Sequence, residues 1–167
     1  DVLGSRGLGD VYKRQLVYNP AANEMFWAEK GVGAFLNDRR LRVSARRSMN
    51  EALFATGIPF ARVSARNRLS FARTLGALMP QVAGIRRFGA AALDLAWVAA
   101  GRYDGYWELG IKPWDCAAGI LLVREAGGYA TNPAGEDLND LPASIDAVVG
   151  NPHLHAQLRE LVASSID

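Results

Sequence analysis

The sequence has little cysteine and little lysine. Cys116 is the only cysteine among 167 residues, so no internal disulfide can form and a reducing, cytoplasmic location is expected. Almost all of the positive charge is arginine, and the formal net charge is only +2. This near balance gives no reason to expect nucleic acid or an anionic membrane surface as a partner. No apolar run is long enough to span a bilayer, so no membrane partner is expected either.

Length and composition indicate one globular domain with its own core, because half of the residues are hydrophobic and 22% are charged. Residues 1–15 differ from the rest, since they combine three glycines with mixed charge and show no strand or helix period. We interpret residues 1–15 as a junction or a flexible arm outside the domain, and residues 16–167 as the domain itself.

The first part of the domain is predicted to form antiparallel strands or hairpins, because short runs of apolar, aromatic and β-branched residues alternate with turn signals. The runs are LVYNP (16–20), EMFWAEK (24–30), GAFLN (33–37) and LRVSA (41–45).

Farther along, predicted strands alternate with predicted helices, which indicates a mixed α and β class. The strands are 52–59, 103–109 and 147–151, and 84–89 is a strand or a turn. The helices are 64–82, 90–101, 113–128 and 152–165. In the first of these helices, Leu69, Ala72, Leu75 and Met79 are spaced as a buried apolar stripe.

The helix predicted at 113–128 begins with Pro-Trp-Asp. Pro113 suits a first helical position, and Asp115 falls in the first turn, where the helix dipole favours negative charge. The spacing alone leaves open whether Asp115 only stabilises the helix end or takes part in a site.

The surrounding residues are more specific. WELGIKPWDCAAGILLVREAGG (107–128) closely resembles a signature of the inositol monophosphatase family, the Mg²⁺-dependent, lithium-sensitive sugar-phosphate phosphatases. The resemblance extends to FGAAALDLAWVAAGRYDGYWE upstream, to NPAANEMFWAEKGVGAFLNDRRLRVS near the start and to VVGNPHLHAQL near the end. It implies a layered αβαβα sugar-phosphatase fold, represented here by its carboxyl-terminal part.

The resemblance also implies roles for particular residues. Asp115 matches a catalytic aspartate that binds the metal and helps to orient the attacking water, and Glu108 matches a glutamate that binds sugar hydroxyls. The backbone of Gly89, Ala90 and Ala91 matches a substrate-binding turn. Carboxylate oxygens suit Mg²⁺, a helix start offers free N–H groups, and a carboxylate accepts hydrogen bonds from hydroxyl groups.

The metal-binding segment Asp-Pro-x-Asp-Gly-Thr-x-Asn-Phe of that family does not occur in this chain. Hydrolysis with two or more metal ions needs several converging carboxylates. The resemblance therefore predicts that the chain is a truncated family member and that these 167 residues by themselves are inactive.

For the intact protein, the resemblance implies Mg²⁺-dependent hydrolysis of myo-inositol 1-phosphate and a homodimeric state. Histidinol phosphate, fructose 1,6-bisphosphate and a phosphoadenosine nucleotide are alternative substrates. A different class of function is a non-catalytic interaction protein that associates with RNA or the transcription machinery. The one feature in its favour is an arginine cluster, which we interpret as a protected strand edge: Arg39, Arg40, Arg42, Arg46 and Arg47.

Several other residues are interpreted as structural. His153 and His155 are expected at the surface, because no third ligand lies near them, and Cys116 is expected to be a small packed residue. Asp94 and Asp104 are expected to be structural, because the resemblance assigns neither of them to the metals. Core positions are expected for three aromatic residues, Trp27, Trp97 and Trp107.

Overall fold

The structure is a computed structural model that describes residues 14–59, 64–139 and 141–166. The described residues form two sheets and four helices. The strands are β1 (Arg14–Asn19), β2 (Glu24–Glu29), β3 (Gly33–Leu36), β4 (Arg39–Arg40), β5 (Leu53–Thr56), β6 (Gly84–Arg86), β7 (Gly105–Ile111), β8 (Tyr129–Thr131) and β9 (Ile145–Gly150). The helices are α1 (Ala65–Leu78), α2 (Ala91–Ala99), α3 (Pro113–Glu125) and α4 (His155–Ala163).

The first sheet is an antiparallel meander in the order β1-β2-β3-β4. The second sheet has the order β6-β5-β7-β9-β8, in which β6, β5 and β7 are parallel and β9 runs antiparallel to both of its neighbours. Both predicted classes of element are therefore present, and the mixed α and β class is confirmed.

Packing arranges these elements in alternating layers. One core cluster lies between the first sheet and the second and includes α2 and α3, with Phe26, Leu95 and Leu122 fully buried. A second cluster covers the other face of the second sheet, where Trp107 packs with Leu78 of α1 and Leu158 of α4. The order sheet, helices, sheet, helices matches four consecutive layers of the expected αβαβα fold.

The outer face of the first sheet is rich in exposed apolar side chains. Side chains alternate between the two faces of a strand, and the register places Leu16 opposite Trp27 and Tyr18 opposite Met25. Leu16 is 61% exposed, while Tyr18 and Met25 are 50% and 42% exposed. Trp27 stacks on Phe35 across the next pair of strands, with ring centroids 4.3 Å apart.

We expect the 167-residue chain by itself to self-associate and to bind a hydrophobic dye, because contiguous exposed apolar surface favours association. Replacing Leu16 and Met25 together by Gln should reduce both effects, since these positions lie on the outer face. Light scattering and dye fluorescence measure the result. Leu69→Gln, on an exposed position of α1, is the matched control. A monomer with a sharp thermal transition and no dye binding would contradict this prediction.

Three details of the sequence prediction are wrong. The run 41–45 does not form a strand, because the first sheet ends in the short β4 at Arg39–Arg40. The strand β8 is not predicted at all. His155 is not at the surface, since it is only 7% exposed and its Nε2 lies 3.1 Å from the Thr131 hydroxyl oxygen. His153 is exposed, as expected.

The predicted buried face of α1 is also wrong. Leu69 and Met79 are 59% and 60% exposed, whereas Ser70, Thr74 and Leu78 are buried. The Thr74 hydroxyl donates to the Ser70 carbonyl oxygen at 3.0 Å, so its polar group is satisfied inside the helix. Because hydroxyl residues can be buried in this way, the apolar stripe in the sequence does not mark the packed face.

Candidate functional site

The parallel strands β6, β5 and β7 bring their carboxyl ends to one edge of the second sheet. Ligands of layered α/β proteins commonly bind in the crevice outside these strand ends. The segment after β6 leads into α2, and Lys112 alone separates β7 from α3. Three chain segments therefore meet at this edge together with two helix N-termini.

A cleft of about 500 Å³ lies at this edge. It contains every residue that the sequence analysis singles out for the site: Gly89, Ala90, Ala91, Glu108 and Asp115. Further lining residues are Gly57, Ile58, Arg87, Asp94 and Trp114. The five predicted residues come from three separate segments, and folding brings them to a single cleft.

Asp115 is exposed in the first turn of α3, and its backbone N–H donates to the Lys112 carbonyl oxygen at 3.0 Å. The helix begins at Pro113, as the sequence predicts. Gly119 lets α3 approach α2 closely, because an added Cβ would lie 2.3 Å from the Leu95 Cβ. This close packing of the two helices fixes the position of Asp115 at the mouth of the cleft.

Glu108 is half-buried on β7, and its carboxylate is held from two sides. The hydroxyl of Tyr106 donates to Glu108 Oε2, and Gly57 lies against the carboxyl group, since an added Cβ there would be 2.1 Å from Glu108 Cδ. Burial raises the pKa of Glu108, the hydrogen bond from Tyr106 opposes this, and the charge of Asp115 raises the pKa further. Glu108 and Asp115 therefore interact electrostatically within one site.

For the polyol phosphate that the sequence resemblance implies as substrate, Gly57→Ala is expected to raise the KM about tenfold with a smaller change in kcat. The added methyl group would overlap the Glu108 carboxyl, and moving that group costs a hydrogen bond to the substrate, worth roughly tenfold in affinity. Steady-state kinetics of the complete gene product measure both constants. Gly76→Ala is the matched control, because nothing lies within 4 Å of a Cβ there. Equal KM values for the two variants would contradict the expectation.

The start of α2 adds backbone donors. Gly89 has a φ of +93°, a conformation that glycine adopts without strain, and Ala90 precedes the helix without a side-chain cap. The first N–H groups of a helix lack intrahelical acceptors and face outward along the axis. Because Ala90 and Ala91 line the cleft, these donors suit an oxygen-rich ligand.

The sequence predicts a structural role for both Asp94 and Asp104, but the two residues have different surroundings in the structure. Asp104 lies before β7 and joins other segments, because it accepts from Arg46 Nη1 at 2.9 Å and from the Leu53 N–H at 2.7 Å. Asp94 is also buried, but it lines the cleft, and its Oδ1 has no hydrogen-bond partner among the described residues. Asp104 is structural, as expected, whereas Asp94 is a cleft residue that sequence reasoning missed.

The free energy of unfolding is expected to fall as the pH rises from about 4 to 7. Burial, followed by the charge of Glu108, raises the pKa of Asp94 to about 7 from 3.8. The folded chain therefore keeps a proton that the unfolded chain loses, and stability present at low pH is lost as the pH rises through the folded pKa.

At pH 8 we expect Asp94→Asn to be more stable than the wild type by about 1–2 kcal/mol, less than the full pKa shift implies because the amide is also unpaired. The two proteins should converge near pH 4. Denaturant unfolding without divalent cations measures this, with the exposed Asp137→Asn as control. If the free energy of unfolding of wild type and of Asp94→Asn changed in parallel with pH, the raised pKa of Asp94 would be contradicted.

Cys116 is fully buried beside Asp115, and burial raises the pKa of its thiol to about 12. The thiol therefore stays protonated and is a packed residue, as expected, and it is not a nucleophile. Trp107 is fully buried in the core, while Trp27 and Trp97 are half-buried. The described residues contain no group of three or more His, Cys, Asp or Glu side chains arranged to hold a metal ion.

A larger cleft of about 640 Å³ lies between the start of α1 and the segment before β9. Its acidic groups already have partners: Asp146 accepts from the Gly110 N–H at 2.8 Å, and Glu136 accepts from the Asn132 amide at 2.7 Å. It contains none of the predicted site residues, so the smaller cleft is the candidate site.

The layered α/β fold, with acids and free helix N–H groups at the carboxyl ends of parallel strands, is the architecture of proteins that bind ligands at this edge of the sheet. The chain belongs to the inositol monophosphatase family, a family of phosphatases, because the family model matches residues 15–167. The expected family is thereby confirmed, and the match begins one residue before the predicted domain start.

Individual relatives agree with this assignment. An inositol-1-monophosphatase of Caulobacter vibrioides is 47% identical over 146 residues, covering 87% of this chain and 56% of the relative. A putative Nus factor SuhB of Neisseria meningitidis serogroup B is 43% identical over 156 residues, covering 93% of this chain and 58% of the relative. The crystal structure of the extragenic suppressor protein suhB from Bartonella henselae superposes with a TM-score of 0.84 at 46% identity, covering 92% of this chain and 58% of that one.

The chain thus spans little more than half the length of the curated relatives that it matches. No helix among the described residues is both long enough and apolar enough to cross a membrane.

Proposed function

We propose that the complete protein hydrolyses the phosphate monoester of a polyol, with myo-inositol 1-phosphate as the first candidate. The observation that supports this most directly is the meeting of Glu108, Asp115 and the start of α2 in one cleft. Relatives named inositol-1-monophosphatase supply the choice of inositol phosphate among polyol phosphates.

In this proposal Glu108 binds the polyol. Burial and the neighbouring Glu108 charge raise the pKa of Tyr106, so its hydroxyl keeps its proton and donates to Glu108 Oε2. The remaining lone pairs of the Glu108 carboxylate can accept hydrogen bonds from substrate hydroxyl groups. The N–H groups at Ala90 and Ala91 bind substrate oxygens, and the positive charge of Arg87 lines the same cleft.

Mg²⁺ is the proposed cofactor, and Asp115 is the residue that would bind it. The carboxylate is exposed at the cleft, and hard oxygen ligands suit this ion. When bound, Mg²⁺ lowers the pKa of a coordinated water and stabilises the charge that develops on phosphate. The described residues fit such a site only in part, because they do not bring together the several carboxylates that it needs.

The test is phosphate release by the complete gene product with and without Mg²⁺. The substrates are myo-inositol 1-phosphate, histidinol phosphate, fructose 1,6-bisphosphate and a phosphoadenosine nucleotide. We expect Mg²⁺-dependent release with the highest kcat/KM for inositol 1-phosphate, and sedimentation of the same sample should show the proposed homodimer. A preference for another substrate would reassign the polyol, and absence of release from all four would overturn the function.

A role in RNA or transcription assemblies is the second candidate. Several relatives of this chain are named Nus factor SuhB, and all five arginines of the cluster at 39–47 are exposed. Three of them have protein partners, since Arg46 pairs with Asp104, Arg42 donates to the Leu41 carbonyl oxygen and Arg40 lies over the Phe35 ring. A binding assay with RNA at increasing salt separates the candidates, because phosphate contacts give affinity that falls steeply with salt.

A further inference from the structure

The strand β7 contains a β-bulge just after Glu108. From one paired position to the next, β7 advances by three residues, from 108 to 111, while its partner β9 advances by two, from 147 to 145. Residues 109 and 110 therefore lie opposite the single residue Asp146, which is the arrangement of a β-bulge. Bulges are common beside active sites, because they change the direction in which a strand and its side chains continue.

The bulge changes the face on which the following side chains lie. In a regular strand Ile111 would share the face of Trp107 and Leu109, because side chains alternate along a strand. Trp107 and Leu109 pack in the cluster that faces α1 and α4, whereas Ile111 packs in the cluster between the two sheets. The extra residue accounts for this reversal. Because Lys112 alone separates Ile111 from α3, the bulge sets the direction in which the chain continues toward Asp115.

The side chain of Asp146 stabilises the bulge. The Gly110 N–H donates to Asp146 Oδ1 at 2.8 Å, so a carboxylate serves as acceptor where the extra residue interrupts the strand ladder. Gly110 has a φ of +79°, and an added Cβ there would lie 3.1 Å from Asn67 Nδ2 of α1. A second contact holds the next residues, because Lys112 Nζ donates to the Ala143 carbonyl oxygen at 3.3 Å. Contacts to several segments therefore fix the path of the chain from β7 to α3.

Asp146 itself is not a residue of the candidate site. It is half-buried and lines the larger cleft, whereas Glu108, Gly110 and Asp115 line the candidate cleft. The hydrogen bond to the Gly110 N–H links its carboxylate to that cleft. Any effect of Asp146 on the chemistry is therefore transmitted by the backbone of the bulge.

We propose that Asp146 is a positioning residue for the phosphatase site, which holds the bulge at Gly110 and thereby fixes Asp115 relative to Glu108. Glu108 precedes the bulge and keeps its regular pairing with Ala147, so Asp115 is the residue whose placement depends on Asp146. Such placement matters because a displacement of about 1 Å at a reacting centre can lower turnover by about 10²-fold. This inference deepens the proposed phosphatase function and rests on it.

The experiment compares wild type, Asp146→Ala and Asp146→Asn in the complete gene product, with myo-inositol 1-phosphate and Mg²⁺. We expect Asp146→Ala to lower kcat about tenfold and to change KM less than about threefold, because the proposed polyol-binding residue Glu108 precedes the bulge. Asp146→Asn retains a side-chain oxygen acceptor and should keep kcat within about threefold of wild type. Asp137→Ala is the matched control, since Asp137 lines the same larger cleft but is 70% exposed, and it should behave as wild type.

A double-mutant cycle separates positioning from a general loss of stability. In the Asp115→Asn background, Asp146→Ala should lower kcat by less than about twofold, because the group that it positions has already been removed. Equal losses of kcat in the two backgrounds would overturn the proposal. Hydrogen exchange in peptides that cover residues 108–116, measured without metal and substrate, tests the bulge without catalysis. This exchange should be faster in Asp146→Ala than in wild type and unchanged in Asp146→Asn.

A second variant is available if Asp146→Ala does not fold. Asp146→Thr suits a strand, but its hydroxyl is attached at Cβ and ends about one bond length short of the Gly110 N–H. Unchanged kcat in the folded variant, or exchange as slow as in wild type, would overturn the role of Asp146 and leave the phosphatase function standing. Absence of phosphate release by wild type would overturn the proposed function and this role together.

Discussion

Asp115→Asn is expected to lower kcat for myo-inositol 1-phosphate by roughly 10²–10³ in the complete gene product, with little change in fold. We expect this loss of kcat because the variant lacks one preorganised charge at the reacting centre. A carboxylate that only stabilised the start of α3 would contribute about 0.3–1 kcal/mol to folding and nothing to chemistry. Asp115 is exposed and lines the cleft, so its removal leaves the core intact.

The measurement is a Mg²⁺ titration of activity and of melting temperature for wild type, Asp115→Asn and Glu108→Gln. Asp115→Asn should lower the affinity for Mg²⁺, so that a higher Mg²⁺ concentration is needed for half-maximal activity. Glu108→Gln should mainly raise the KM for the polyol phosphate. Without metal, the stability of Asp115→Asn should stay level or rise, because the charge of Asp115 disfavours ionisation of Glu108. Near-normal turnover of Asp115→Asn at ordinary Mg²⁺ would show that this helix is not part of a phosphatase site.

Asp104→Ala is expected to lower the free energy of unfolding by roughly 3 kcal/mol, or the melting temperature by about 6–12 °C. Asp104 is 1% exposed and accepts hydrogen bonds from three groups, the Ser44 hydroxyl, Arg46 Nη1 and the Leu53 N–H. The network continues to Asn151, whose amide donates to the Ser44 hydroxyl oxygen at 2.8 Å. Removing the carboxylate leaves these donors without their acceptor where the segment that follows the first sheet contacts the second sheet.

Denaturant unfolding of the three proteins wild type, Asp104→Ala and Asp104→Asn measures the effect. Asp104→Asn should lie between the other two, because the amide oxygen still accepts a hydrogen bond but carries no charge. Asp137→Asn is the control, since Asp137 is 70% exposed and its pair with Arg124 is 3.9 Å long, so a change below about 0.5 kcal/mol is expected. A similarly small loss of unfolding free energy for Asp104→Ala would show that this network contributes little to stability.

Helices and strands that are marked by local sequence signals could be predicted from the sequence alone. Pro113 at the first position of α3 and Gly101 after α2, with a φ of +69°, mark helix ends because their backbone preferences depend on no distant contact. Turn residues and strand periods predict the first three strands of the meander, because these signals are also local. Identities around Asp115 and Glu108 were specific enough to indicate the family, which the match over residues 15–167 confirms.

Which side chains are buried, and which of them share a cleft, depends on the packing of the whole chain. The apolar stripe of α1 is exposed, while Ser70 and Thr74 are buried, because packing depends on where α4 and the second sheet lie and not on the helix alone. Asp94 and Asp104 carry the same chemistry in the sequence, yet one lines the cleft and the other binds the segment between the two sheets to the second sheet. The difference arises because burial, pairing and electrostatic fields depend on segments that are distant in the chain and meet only after folding.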